Sequence, residues 1–320
     1  MKAIVSVIIP AYNSERSIEK CIKSLLDQTL SNFEMYIIDD GSTDNTLKIA
    51  QKFNFDYRVH IISQNNKGVS AARNNALGKV KTKYVTFVDS DDFVSSKYLE
   101  RLVAGIKIDQ VDMAICNIPS NFLNLSKNSV VKSQKVMNML LSPKGMGGYL
   151  WNKIFKTDII KRYNICFNDK LYIAEDLLFC EQYLSYIGNV NLLTTHDYHY
   201  IENSNSVSNN MSFKKNNIDF YLNYLEALER ILTISSLSFD DVKKNVRARM
   251  CDLCCDIVRI INLNNDINDK NIKNKSLQYI NDNKCTFFKS TIISYKRKLV
   301  LILLIISPIL IRSLDEFKNK

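Results

Sequence analysis

Val85-Thr86-Phe87-Val88-Asp89-Ser90-Asp91-Asp92 passes from a β-forming apolar run straight into a cluster of carboxylates. Val85, Phe87 and Val88 read as a short strand buried on both faces, as in a parallel sheet. Open α/β sheets hold their ligands at the C-terminal ends of strands, which is where this run leaves its acids. Carboxylates packed this closely repel one another unless a cation lies between them, and hard oxygen donors suit Mg²⁺ or Mn²⁺. An Asp-x-Asp by itself is equally a solvated turn, so the surrounding sequence has to decide.

Upstream, strand and helix patterns alternate. Residues 5–9 form an apolar strand stopped by Pro10-Ala11-Tyr12-Asn13, and Asn13 or Ser14 can cap a helix whose apolar stripe is Ile18, Cys21, Ile22, Leu25 and Leu26. A second strand over 33–38 ends in Asp39-Asp40-Gly41-Ser42-Thr43-Asp44, where Thr43 or Asp44 can cap the next helix. A third strand over 59–62 leads through the loop 64–68 into a helix over about 69–77. Repeated βαβ units imply right-handed crossovers and a parallel sheet whose loops converge on one crevice. Beyond it, 98–106 reads as helix, 113–117 as strand and 121–133 as polar loop. Long helical patterns follow over 218–234 and 241–261, separated by the Asn/Asp/Lys-rich 263–275.

The chain has 320 residues, enough for one large domain with an appendage or for two domains. Its net charge is +10, and no basic-aromatic stripe or nucleic-acid motif accompanies it. That leaves an anionic membrane surface, a polyanionic substrate or plain solubility charge ahead of nucleic acid. There are eight cysteines, and 1–10 reads as a strand rather than a secretory leader, so a reduced, cytoplasmic chain is expected. Cys251, Cys254 and Cys255 lack the second Cys or His pair a zinc site needs and are expected to be small core residues.

Taken in order, 5–13, the helix end at 25–29, 37–44, Gly68-Val69-Ser70-Ala71-Ala72-Arg73-Asn74-Asn75-Ala76-Leu77, 84–93, Trp151-Asn152-Lys153-Ile154-Phe155 and Glu175-Asp176 resemble family 2 glycosyltransferases. The resemblance covers roughly residues 4–208. It implies a GT-A fold, a Rossmann-like, mostly parallel sheet flanked by helices, as the catalytic domain over 1–210. Residues 211–320 are then a helical C-terminal extension.

The resemblance further implies a role for each motif. Pro10, Ala11, Tyr12, Asp40, Gly68, Arg73 and Ser90 would bind the nucleotide-sugar. Asp40 matches the acceptor of the uracil N–H, with Asp39 structural, and Arg73 matches the Arg at the diphosphate, where a planar fork suits phosphate. Asp91 and Asp89 would hold Mn²⁺ or Mg²⁺, and Asp92 is either a further ligand or a helix cap. Asp176 would be the catalytic base, oriented with the acceptor by Glu175. Trp151, Asn152 and Lys153 would shape the acceptor or donor-sugar pocket, although Trp151 fits a core anchor equally well. A Tyr-x-Tyr-Arg pattern followed by a Ser is expected next. Here Tyr198-His199-Tyr200 is followed by Ile201, with Ser206 beyond, so the phosphate contact of that Arg is missing and His199 is the candidate to replace it.

The implied activity is an inverting, metal-dependent transfer from a UDP-sugar to a hydroxyl of a glycan acceptor. A lipid-linked intermediate of surface-polysaccharide synthesis is the expected acceptor, a protein acceptor the second reading, and an inactive nucleotide-binding scaffold of the same fold the third. The apolar run 299–311 is interrupted by Pro308 and is shorter than the ~20 residues that span a bilayer. With Lys296, Arg297, Lys298 and Arg312 beside it, segment 296–312 is either a core helix or a segment lying at the inner face of the plasma membrane.

Overall fold

The computed structural model describes residues 2–117, 126–143, 147–201, 217–234, 238–263 and 269–306. The chain forms two compact units. The first comprises Met1–Val136 and Gly148–Asn203, and the second Met137–Gly147 and Ser204–Lys320. The boundary near 203 lies close to the one expected at 210. The excursion 137–147 was not foreseen. Within the second unit Asn138 donates to Asp241 Oδ2 at 2.9 Å and accepts from Asn245 Nδ2 at 2.7 Å, and the apolar Met137, Leu140 and Leu141 of the segment are buried.

The first unit begins with β1 (Val5–Ala11), α1 (Ile18–Leu26), β2 (Phe33–Asp39), α2 (Thr46–Gln51), β3 (Val59–Ser63), α3 (Val69–Lys79) and β4 (Tyr84–Phe87). These are the elements expected from the alternating patterns. The strands β3, β2, β1 and β4 lie side by side and parallel. Every residue of β1 is buried, as a central strand covered on both faces requires. In α1 the stripe Ile18, Cys21, Ile22 and Leu25 is buried, and in α3 the small residues Ser70, Ala72 and Ala76 are buried beside Arg73.

The chain continues with β5 (Phe93–Val94), α4 (Tyr98–Ile106), β6 (Met113–Cys116), β7 (Ser129–Lys132), α5 (Ser133–Leu141, whose residues 137–141 belong to the second unit), β8 (Lys153–Lys156), α6 (Thr157–Arg162), α7 (Glu175–Ser185), β9 (Asn189–Leu193) and β10 (Tyr198–His199). The main sheet has the order β3-β2-β1-β4-β8-β6-β9-β7, and β10 pairs separately with β5. The strand β8 runs antiparallel to both β4 and β6. Residues 129–132 are an edge strand, not the loop expected there, because Ser-Val-Val-Lys alternates in burial against β9. Residues 118–125, which hold the start of that expected loop, lie outside the described residues.

The second unit holds α8 (Ile218–Leu232), α9 (Asp240–Leu263), α10 (Lys270–Lys289) and α11 (Tyr295–Ile306). Its core includes Cys251, Cys254, Cys255, Val258, Ile280, Phe287, Leu301 and Leu304, so the cysteines are the small core residues expected. Burial raises the Cys254 thiol to about 12, which removes its metal-binding and nucleophilic form. The run 299–306 serves this core on one side only. Leu299, Ile302 and Ile305 are exposed, whereas Arg297 pairs with Asp256 at 2.7 Å and Asp252 at 2.5 Å. Residues 307–320, including Pro308 and Arg312, lie outside the described residues. No described helix is long and apolar enough to cross a membrane.

Candidate active site

The crevice is built where β1, β2 and β4 end. Asn13, just past β1, has a positive φ of 48° and accepts through Oδ1 from Thr43 N at 2.8 Å, so the loops after β1 and β2 are tied together. Pro10 and Ala11 are the buried last residues of β1, while Tyr12 is half exposed. Ser90 is buried, with its Oγ 2.7 Å from Ser14 Oγ.

Asp40 organises the next loop. Its Oδ1 accepts from Gln64 Nε2 at 2.8 Å and Lys67 N at 2.9 Å, and its Oδ2 accepts from Gly68 N at 2.8 Å. A carboxylate offers about four acceptor sites, so roughly one is left for a ligand N–H. Asp39 is spent on Ser42 N and Ser63 Oγ, as its structural assignment required. Gly68 has φ 88°, and a Cβ there would meet nothing, so it is the left-handed backbone and not crowding that requires glycine.

Arg73 joins the two acidic ends of the crevice. It is buried, donating through one terminal nitrogen to Glu175 Oε1 at 3.0 Å and through the other to Asp89 Oδ1 at 3.4 Å. Burial opposes its charge, but Asp89, Glu175 and Asp176 outweigh it, so its pKa rises and the guanidinium stays charged. Its Nε–H is buried and unpartnered among the described residues.

The three acids of the opening motif have separate duties. Asp91 is pushed up first by burial and then by the charge of Asp89, so these two form a repulsive pair. Asp92 is not a helix cap, since α4 begins at Tyr98. It accepts from Tyr198 OH at 2.6 Å and Ile201 N at 2.7 Å, fastening the segment after β10 to the crevice. Burial pushes its carboxyl up to about 7, with these hydrogen bonds acting the other way. Among the described residues no group of three His, Cys, Asp or Glu side chains could hold a metal by itself.

Glu175 and Asp176 open α7, preceded by Ala174 in a left-handed conformation. Glu175 is committed to Arg73, whereas Asp176 accepts only from the adjacent Leu177 N at 2.7 Å among the described residues. Burial, then the charge of Glu175, raises Asp176 to about 7 against the opposing charges of Arg73 and Lys153. The loop before β8 presses on this turn: a Cβ at Gly148 would stand 2.2 Å from Leu177 N. Only glycine fits there.

The expected sugar pocket is rearranged. Trp151 is 7% exposed and stacks between Tyr149 at 5.3 Å and Tyr198 at 4.3 Å, which makes it an anchor. Asn152 donates to Cys116 O at 3.0 Å, and Lys153 donates to Asn152 Oδ1 at 2.8 Å and to Tyr149 O; both are buried beneath the crevice rather than lining it. His199 stacks on Phe93 at 4.5 Å and bonds Ser95 Oγ at 2.8 Å, so it is occupied on the β5–β10 ribbon. Ser206 lies outside the described residues. The accessible aromatic edges are Tyr149 and Tyr200, 46% and 43% exposed. The alternation Tyr149-x-Trp151 and Tyr198-x-Tyr200 was the signal for this ladder.

The family model described as Glycosyl transferase family 2 matches residues 6–164. The uncharacterized glycosyltransferase EpsJ of Bacillus subtilis is 32% identical over 221 residues, covering 65% of this chain and 64% of its own, so the match spans under two thirds of that relative's length. A poly(ribitol-phosphate) beta-N-acetylglucosaminyltransferase, TarP of Staphylococcus aureus, is 28% identical over 254 residues, covering 75% of this chain and 76% of its own. The crystal structure of S. aureus TarS 1–349 in complex with UDP-GlcNAc is similar with TM-score 0.65 at 21% identity, covering 90% of this chain and 89% of that one. That likeness shows the GT-A fold expected from the sequence.

Proposed function

The chain carries a glycosyl transferase family 2 domain at residues 6–164, and on that premise we propose that it transfers a sugar from a UDP-sugar to a hydroxyl of a glycan acceptor, with inversion. The observation that carries this reading is the Arg73 bridge, which sets an uncommitted, elevated Asp176 beside the Asp89–Asp91 pair. Asp176 takes the proton of the acceptor hydroxyl while that oxygen attacks the anomeric carbon. The bond from that carbon to the diphosphate oxygen breaks, and UDP leaves from the opposite face. One displacement inverts the centre and requires no covalent nucleophile.

The remaining residues bind and orient. The free acceptor site of Asp40 suits the N–H of uracil, and exposed Tyr12 offers a ring to the base. The solved relative holds UDP-GlcNAc, which supports a uridine donor. Asp89 and Asp91 are two repelling oxygen donors outside any group of three candidate ligands among the described residues, which fits a hard cation completed by substrate phosphates. Mn²⁺ or Mg²⁺ bound there would supply Lewis-acid neutralisation of the departing diphosphate. Arg73 adds a fixed positive charge next to Asp89. Tyr149 and Tyr200 form the platform for an acceptor sugar ring.

Calorimetric titration of UDP, with and without Mn²⁺ and with GDP and CMP as controls, tests the donor site. Metal-dependent binding selective for UDP is expected. GDP preference would break the role given to Asp40, and absence of any nucleotide binding would sink the reading.

For the acceptor we take a glycan on a lipid carrier, reached from the inner face of the plasma membrane, with Leu299, Ile302 and Ile305 as the apolar contact. Deleting 296–320 is a poor test, since removing one partner of a buried ion pair such as Arg297 costs about 3–5 kcal/mol. Leu299→Asn/Ile302→Asn/Ile305→Asn leaves those pairs intact. It should abolish co-flotation with anionic phospholipid vesicles without lowering the melting temperature; unchanged flotation would refute the contact.

A further inference from the structure

The second concave feature of the first unit is at the other end of the strands, about 20 Å from the crevice by the rise of β1. It is a cavity of 860 Å³ whose lining includes Lys2, Lys81, Lys83, Lys107, Lys156 and Lys161. That volume is in the range of about 300–1,000 Å³ typical of small-ligand sites.

Its charges are poorly compensated. Lys156 pairs with Asp112 at 2.8 Å, and Lys161 Nζ donates to Val80 O at 2.6 Å. Lys2, Lys81, Lys83 and Lys107 make no ion pair among the described residues, and all four are exposed. The two acids of the lining are already engaged. Asp158 faces Arg162 at 3.6 Å, and Asp109 accepts from Gln110 N at 3.0 Å. Ammonium groups crowded around a concave surface raise the local concentration of anions.

Ile108, half exposed, lines the cavity as well and adds apolar contact.

We infer that this cavity binds a soluble ligand carrying two or more phosphate groups, at a site separate from the donor crevice. Lysines distributed over a volume this large match several phosphates rather than one, and lysine is a point-charge phosphate ligand. A concave volume of 860 Å³ suits a compact ligand that enters it, not a flat membrane resting on the rim.

The test is calorimetric titration of sodium tripolyphosphate into the full chain, with EDTA present and at low salt. Wild type should bind with an affinity that falls as salt rises, because the screening length is about 10 Å at 0.1 M. Lys81→Gln/Lys83→Gln/Lys107→Gln should weaken binding at least about tenfold. All three lysines are exposed, so the circular dichroism and melting curve of that variant should match wild type. Equal binding by wild type and the triple variant would move the ligand to the crevice and overturn the inference. So would no binding by wild type, or binding confined to anionic vesicles.

Discussion

Asp176→Asn lowers turnover at least about 100-fold, the scale of a single general base, while leaving UDP affinity within about twofold of wild type. The separation follows from position. Asp176 has no hydrogen bond to Arg73, Asp40 or the Asp89–Asp91 pair, and among the described residues its carboxylate accepts only from Leu177 N. The pH dependence gives a second readout. A base works only when deprotonated, and burial with the Glu175 charge holds Asp176 at about 7. The wild-type kcat/KM should therefore rise through about pH 7 and level off above it, since that ratio reports the free enzyme. In Asp176→Asn the residual activity should lose this limb. Unchanged turnover in the purified, folded variant would remove Asp176 from the mechanism.

The place of Glu175-Asp176 was legible in the sequence because the pair sits at a helix start in a recognisable order of motifs. The βα alternation was equally legible. Short apolar runs, Pro10, the Asp39-Asp40-Gly41 turn and Gly68 punctuate the chain in the right rhythm, and the strands came out where the patterns end. Such signals are local. The strand pattern of 85–88 depends on neighbours one and two residues away, so reading it needs no tertiary information.

What escaped is decided by partners distant in sequence. Asp89, Asp91 and Asp92 are equivalent as letters, and only the fold brings Tyr198, 106 residues later, to Asp92 and gives it a fastening role. Asn152 and Lys153 were given to the pocket by the resemblance, which matches the run Trp151-Asn152-Lys153. A lysine with its ammonium satisfied by Asn152 Oδ1 and Tyr149 O under the crevice has no one-dimensional signature. The edge strand at 129–132 escaped for a different reason: its partner β9 lies some sixty residues on, and Ser-Val-Val-Lys alone is too short to show a period.

Arg73→Met should be the most damaging single substitution in the crevice, because the guanidinium holds several negative charges in a buried place. Glu175 at 3.0 Å and Asp89 at 3.4 Å lose their counter-charge together, and Asp176 loses an opposing field. Removing one partner of a buried pair costs about 3–5 kcal/mol, visible as a lower midpoint in urea denaturation at pH 8. The sign of the pH response is fixed by the charges. Without Arg73 the charge that opposes the rise of Asp176 is lost, so Asp176 rises further and the ascending limb of kcat/KM moves to higher pH. Protonation of Asp176 then relieves repulsion, so the stability deficit of the variant should shrink as pH falls from 8 towards 5. Arg73→Lys should recover part of the stability, since it restores a charge but not the two-pronged reach to Glu175 and Asp89. A limb that stays at about pH 7 in Arg73→Met, together with an unchanged denaturation midpoint, would show that the bridge is a surface pair without consequence and that the charge balance of the site lies elsewhere.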